Sequence, residues 1–333
     1  MSNLENRYEI VALVEAQMCN PNGDPDMGNR PRVDFETGRG IMTDVAVKSR
    51  IRNYVLEAYG NRPDCQILIQ NGNSMNRSIA EAVLTVNETD TLKKGENRKV
   101  KESADYMCEK YWDVRTFGAV LSTGLNAGQV RGAVQVGMSL SVDPIEPTVL
   151  SITRKCYTEG DYPTLAEYDA KDAALADDKK RTIGNKAYIP HGLYVVKMTV
   201  SANLANKVGF SEEDLGILLE ALIQMYNNDV SSSKMGMSVL TPVVVFKHVG
   251  LGTGSDEQNR KERLLGCVPA YKLFDLVQIS KKSGVEVVRS HNDYDIKLNL
   301  SDLPGGVECG VKRSPYSDVE WLSIRDNVDL LNI

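Results

Sequence analysis

"QVRGAVQVGMSLSVD", residues 129–143, alternates with a period of two. Val130, Val134, Val136, Met138, Leu140 and Val142 fall on one side, with Gly132 among them. Gln129, Arg131, Ala133, Gln135, Ser139 and Ser141 fall on the other. Such alternation predicts a strand with one packed face and one open face. The open face is small and polar and carries one cation, Arg131. Further strands are predicted at 8–16 ("YEIVALVEA"), 193–202 ("LYVVKMTVSA") and 239–249 ("VLTPVVVFKHV"). Helices are predicted at 43–59 and 211–227. Thr43 or Asp44 caps the first, Val47, Ile51, Val55 and Ala58 form its apolar face, and Gly60 suits a left-handed end. Ser211 and Asp214 make a capping-box start for the second, with Leu215, Leu218, Leu219, Leu222 and Tyr226 as its stripe.

In chain order these elements read β-α-β-β-α-β, an α+β ferredoxin-like (RRM-like) arrangement with large insertions. The first insertion, within 61–128, is polar; it contains "DTLKKGENRKVK" (90–101) and a helix expected at 102–113. The second, 144–190, has no clear period. It holds an acidic run near 159–178 followed by Lys179, Lys180 and Arg181, and excursions of that length are functional or mobile. A hairpin turning at "KKSG" is expected within 273–289, and a short helix near 317–331.

Composition narrows the function. The 333 residues are 42% hydrophobic and 25% charged, enough for a real core. No apolar run is long enough for a membrane helix, and no signal-peptide pattern opens the chain. Six cysteines without CxxC spacing read as reduced thiols, so a cytoplasmic location is expected. The net charge of −6 points away from nucleic acid, leaving only a local basic groove to support it.

Chemistry-bearing motifs are few. "CNPNGDPDMGNRPRVD", 19–34, resembles the start of a calcium loop at Asn20, Asn22 and Asp24, but Pro25 and Pro31 break the EF-hand pattern. A metal nuclease built on Asp24, Asp26 or Asp34 is conceivable, because two-metal sites need clustered carboxylates. The simpler reading is a turn whose Asn and Asp side chains bond their own backbone. Lys48 and Arg52 share one helical face, either as a solvated basic patch or as two phosphate contacts. Residues 113–132 bring Arg115 and Arg131 near several glycines, where backbone amides can approach phosphate. Lys234 sits in the small-residue turn "SSSKMGM". No dinucleotide fingerprint, phosphate loop or GxSxG motif occurs, which disfavours a small-molecule enzyme, and no cofactor is expected.

Several blocks together carry a resemblance. Residues 20–55, "DVRTFGAVLSTG" (113–124), "GQVRGAVQVGMSLSVDPI" (128–145), "SITR" (151–154), 189–215, "VFKH" (245–248) and "AYKLFDLVQI" (270–279) resemble, in order, the backbone subunit of CRISPR Cascade complexes of subtype I-C, in the RAMP superfamily. The resemblance implies a palm at 1–60, 113–143 and 191–333 (the last with a C-terminal extension). It also implies fingers at 61–112 and a thumb at 144–190. It implies a non-catalytic subunit that stacks head to tail along crRNA and supports guide pairing with target DNA in antiviral defence. The implied partners are its own copies, a 5′-handle-binding and processing subunit, a large subunit and a small subunit. Type III relatives instead cut RNA with an aspartate in the first loop, which keeps a metal-dependent RNA endonuclease as the alternative. The RNA contacts implied are Asn20, Asn22, Asn29, Arg30, Lys48, Arg52, Arg115, Gln129, Arg131, Arg154 and Lys234. Ser49 departs from a more basic family pattern, and 157–186 show little match.

Overall fold

The computed structural model describes residues 4–158, 160–323 and 326–332. Its strands are β1 (Tyr8–Cys19), β2 (Arg39–Met42), β3 (Val134–Val136), β4 (Ser139–Pro144), β5 (Thr148–Arg154), β6 (Thr182–Val200), β7 (Met237–His248), β8 (Val277–Lys281), β9 (Tyr294–Asn299), β10 (Val307–Lys312), β11 (Glu320–Trp321) and β12 (Asn327–Asp329). Its helices include α1 (Asp44–Tyr59), α2 (Met75–Asn87), α3 (Val100–Lys110), α4 (Trp112–Phe117), α5 (Leu165–Ala174), α6 (Ala202–Val208), α7 (Glu212–Asn228) and α8 (Asp256–Leu265).

The main sheet is antiparallel and runs β11-β10-β7-β1-β6-β4-β2, with β3 and β5 also pairing with β6. One face of it meets α1 and α7. Ile10, Val14, Val196, Met198 and Val245 pack there with Val47, Ile51, Val55, Leu218 and Leu222. Thr43 caps α1 by accepting from the Ala46 N–H, and Ser211 with Asp214 forms the complete capping box of α7. Gly60, expected to be left-handed, is right-handed (φ −61°). A Cβ there would sit 2.2 Å from the Leu56 carbonyl oxygen, so close approach and not backbone sign calls for glycine.

The 129–143 stretch is not one strand. Gln129–Val130 pairs with Ala119–Val120, and the chain joins β6 only from Val134. Val136 faces Met198, whereas Leu140 faces Val195. Four residues on one strand thus span three on the other, which is a one-residue bulge at Gly137–Met138. A single extra residue turns every later side chain to the opposite face. Ser139 and Ser141 are therefore buried, while Met138 and Leu140 are exposed, reversing the expected sides.

The second face of the sheet is also covered. Val11, Leu13, Val244 and Phe246 pack against Leu273, Leu276, Ile296, Leu298 and Leu330 of the C-terminal region. The hairpin expected at 273–289 is instead β8 paired with β9 across a longer loop, 282–293. The helix expected near 317–331 is replaced by β11, β12 and a final 3-10 turn. There Val328, Leu330 and Leu331 pack into the second core.

Both cores flank β1, so its outward carboxylates are buried with it. Glu15 takes His191 Nε2 at 3.1 Å and His291 Nδ1 at 2.8 Å, together with the His291 backbone N–H at 2.6 Å. Glu9 takes His248 Nε2 at 2.6 Å, and His248 Nδ1 accepts from the Cys267 N–H at 2.9 Å. That acceptor role fixes the His248 proton on Nε2. Burial pushes the Glu15 pKa up, but the hydrogen bonds from His191 and His291 outweigh it and bring it down to about 2. A depressed carboxylate contributes stability above its unfolded pKa and loses it as pH falls towards the folded value. The stability gap between the native chain and Glu15→Gln should therefore be full at neutral pH and shrink between about pH 4.5 and 2. Urea melts of both proteins across that window check this.

Candidate nucleic-acid interface

The first loop is shaped by side chains that face inward. Asn20 is buried; its Nδ2 donates to the Asn29 carbonyl at 2.7 Å, and its backbone N–H donates to Ser233 O. Asn22 Oδ1 accepts from the Thr43 N–H at 2.9 Å, tying the loop to the start of α1. Asn29 holds φ +60°, and its backbone N–H donates to Asp24 O. Gly23 packs so closely that a Cβ would lie 2.0 Å from Asn29 Oδ1.

Asp24 and Asp34 are engaged locally, and Asp26 is exposed. Asp24 accepts from the Asp26 N–H and pairs with Arg32 at 3.2 Å. Asp34 accepts from Thr37 Oγ1 and the Glu36 N–H, and the Thr37 bond leads in lowering its pKa. Among the described residues no group of three or more His, Cys, Asp or Glu side chains converges as a metal site would. Pro25 to Arg30 are left on the exposed rim.

Lys234 is structural in place. Its Nζ donates to the carbonyls of Asn20 (2.6 Å) and Pro21, stitching the 231–237 turn to the first loop. Burial, helped by nearby Arg50, lowers its pKa to about 8.

Arg115, expected at the surface, is buried. Its Nε and Nη2 meet Asp214 at 3.0 and 2.8 Å, and Nη1 donates to the carbonyls of Asp64 and Cys108. Asp214 is also the capping-box partner of Ser211 at the start of α7, so this pair joins α4 to α7. Arg115 therefore has no free edge for a phosphate. Removing one partner of a buried pair strands the other charge.

Arg52 differs in an instructive way. Its Nε is held by Asp113 Oδ2 at 2.8 Å, and Asp113 also accepts from the Leu68 and Ile69 N–H groups. No bond occupies its terminal nitrogens among the described residues, and neither nitrogen is among the buried atoms that lack a partner. The guanidinium lies 5.1 Å from the Phe117 ring centroid, and Lys48 Nζ lies 5.8 Å from the same ring while pairing with Asp44. A guanidinium fixed through Nε presents an oriented two-donor fork.

Arg131 comes to the same place. Gly118 and Gly132 face each other with clearances that exclude any Cβ, the latter against Thr116 O and Phe117 C. That close approach sets exposed Arg131 beside the Phe117–Gly118 turn. Gln129 is exposed two residues away. Lys48 and Arg52 thus flank the Phe117 ring, and the Arg131 backbone passes beside the following Gly118. Sequence reasoning missed Phe117 and Asp113. The signal was the "DVRTFG" run itself, read only for its arginine. Arg154 lies apart on β5, donating to Thr158 Oγ1 at 3.0 Å, and Arg30 stands exposed on the loop rim.

The family model described as CRISPR-associated protein Cas7 matches residues 6–299. The chain belongs to that family. A relative from Haloferax volcanii, named CRISPR-associated protein Cas7, is 34% identical over 119 residues, or 35% of this chain. The alignment spans 33% of that relative's length, about a third. Two solved chains are similar at the level of backbone course. One, from a "CRISPR RNA-guided surveillance complex", has a TM-score of 0.46 at 15% identity, with 94% of this chain and 91% of that chain covered. The other, from a "CRISPR RNA-guided surveillance complex, pre-nicking", has a TM-score of 0.43 at 14% identity, with 72% and 78% covered.

The two arginines should separate cleanly in stability. Arg115→Ala should cost about 3–5 kcal/mol, the range for breaking a buried pair. Arg131→Ala should stay within about 0.5 kcal/mol, as exposed substitutions do. Equilibrium urea unfolding of the two variants measures the contrast.

Proposed function

We propose that this chain is a non-catalytic crRNA-binding backbone subunit of a subtype I-C Cascade complex, polymerising head to tail along the guide and supporting its pairing with target DNA. The observation that carries the reading is the group of cations about the Phe117–Gly118 turn of an otherwise acidic chain, where Lys48 and the largely buried Arg52 flank the ring and exposed Arg131 follows beside Gly118. The ordered blocks that resemble subtype I-C support the finer assignment. The sheet order β7-β1-β6-β4, with α1 between β1 and β4 and α7 between β6 and β7, supports an RRM-like palm. In this reading the first loop acts through shape and rim residues such as Arg30, because Asn20, Asn22 and Lys234 are used in holding it. Arg115 serves as a strut and not as a contact. The other proposed partners are the handle-binding, large and small subunits, in the cytoplasm. Among the described residues no helix is long and apolar enough to cross a membrane.

Co-purification with RNA, read from ultraviolet absorbance, is the direct test. Lys48→Ala combined with Arg131→Ala should lower RNA affinity alike for all sequences. It should also flatten the salt dependence by about 0.7 log–log units per lost phosphate contact on single-stranded RNA. Unchanged retention and slope would sink the assignment. Regular cuts in complementary RNA upon adding Mg²⁺ would replace it with the nuclease alternative.

The arm spanning β5, α5 and the start of β6 has no buried residue in α5. Limited proteolysis should cut within 150–185 quickly in RNA-free protein and slowly in the RNA complex, because this arm has little apolar area to offset ordering entropy. Equal protection in both states would count against that reading.

A further inference from the structure

A cavity of about 380 Å³ lies at the root of the arm. The end of β4, residues 190–193 of β6 and the 282–293 loop enclose it. The loop is held in place. The Arg289 N–H donates to Asp293 Oδ2 at 2.8 Å, and Gln17 Nε2 reaches the Arg289 carbonyl at 3.4 Å. Tyr294, at the end of the loop, donates its hydroxyl to Asp143 Oδ2 at 2.7 Å. Asp143 is satisfied by that bond and by Lys281 Nζ at 3.5 Å. Glu146 and Glu286 are different. Both line the cavity and are exposed, and no hydrogen bond or ion pair among the described residues engages their carboxylates. Arg289 adds one guanidinium at the rim.

His191 is a second and independent mark of a site. It is 8% exposed and shares a face of β6 with Leu193 and Val195, which pack in the second core. Its Nε2 meets Glu15 Oε1 at 3.1 Å. An ionised carboxylate can only accept, so Nε2 carries the ring proton, and the neutral ring presents the lone pair of Nδ1. No bond among the described residues takes Nδ1, and it is not among the buried atoms that lack a partner. It is therefore open to the cavity that His191 lines. Two unpaired carboxylates and an imidazole acceptor call for a cation rich in N–H donors. Val287, 62% exposed, and Val288 give the loop side a hydrocarbon strip, which suits a methylene chain between the charges.

We propose that this cavity binds a short aliphatic diamine, its ammonium groups shared among Glu146, Glu286 and His191 Nδ1 and its methylenes on Val287. Two positive charges on the ligand match the two unpaired carboxylates. The volume lies in the range of small-ligand sites. A bare metal ion fits less well, because among the described residues no group of three or more His, Cys, Asp or Glu converges. Arg289 opposes an ammonium, so it lowers the affinity of the site. An amine held there joins the root of the arm to the 282–293 loop. The inference is independent of the RNA reading and stands or falls without it.

Putrescine is the probe, titrated calorimetrically into the RNA-free chain at physiological ionic strength. Saturable uptake of a single equivalent is expected. Glu146→Gln with Glu286→Gln should weaken it by about tenfold or more, as lost charge-assisted bonds do. Asp169→Asn with Asp172→Asn, on exposed α5, should leave it within about twofold and so controls for general attraction to an acidic chain. Arg289→Gln should tighten it by about two- to fivefold. In the native chain with nitrogen-15 histidine, the His191 Nδ1 signal should shift at saturation. His248, whose two ring nitrogens are both engaged, should not respond. That signal needs no substitution, so a misfolded variant cannot account for it. No saturable uptake, or equal loss in the two carboxylate variants, would overturn the proposal. An unmoved His191 signal at saturation would do the same, and weaker binding in Arg289→Gln would assign the cavity to an anion instead.

Discussion

Strand β1 is packed on both faces, and the rest of the chain is arranged around that constraint. Its inward residues meet α1 and α7, and its outward residues meet the C-terminal region. A strand enclosed in this way cannot leave a carboxylate unpaired, because an isolated buried charge is far too costly. Glu9 and Glu15 therefore recruit all three histidines of the chain, from β6, the end of β7 and the turn before β9. These contacts link parts of the chain far apart in sequence and pin the C-terminal region to the sheet. Each histidine is thus engaged by a carboxylate of one strand.

Local periodicity carried the sheet and both packing helices, since β1, β7, α1 and α7 each have a strong, uninterrupted pattern. The signal failed where one residue changed the register. Alternation across 129–143 is unbroken in sequence, yet the bulge at Gly137–Met138 moves Leu140 outward and Ser139 inward. Periodicity also could not reveal that the second sheet face is covered, because the covering residues are 130 or more positions away from β4. At the candidate site, the cation types were legible but their duties were not. Arg52 and Arg115 look alike in sequence. Only the partners Asp113 and Asp214, 61 and 99 residues distant, make one a presented fork and the other an internal strut.

The two insertions obey different energetics. The region between α1 and β3 has a core of its own, with Ile79, Ala82, Val83, Met107, Val114 and Leu121 packed together, and two buried ion pairs fasten it to α1 and α7. Burial of that area can offset the entropy of ordering some fifty residues only if the segment is compact. The arm relies on backbone pairing between β5 and β6, and its helix buries nothing. A segment that contributes no core to its own chain keeps its apolar and charged faces available to others.

This division accounts for how an acidic chain can offer a basic surface at all. Net charge sums over residues, but a ligand meets only the charges that protein partners have not already satisfied. Arg115, Lys234, Arg50 and Lys110 are held by carboxylates or carbonyls. Lys48 and Arg52 are also paired, with Asp44 and Asp113, and Arg52 is largely buried against Phe117, whereas Arg131 is exposed and makes no ion pair among the described residues. The Phe117 ring adds cation–π attraction to the carboxylate pairing of Lys48 and Arg52. The total of −6 consequently says little about the local field around the Phe117–Gly118 turn.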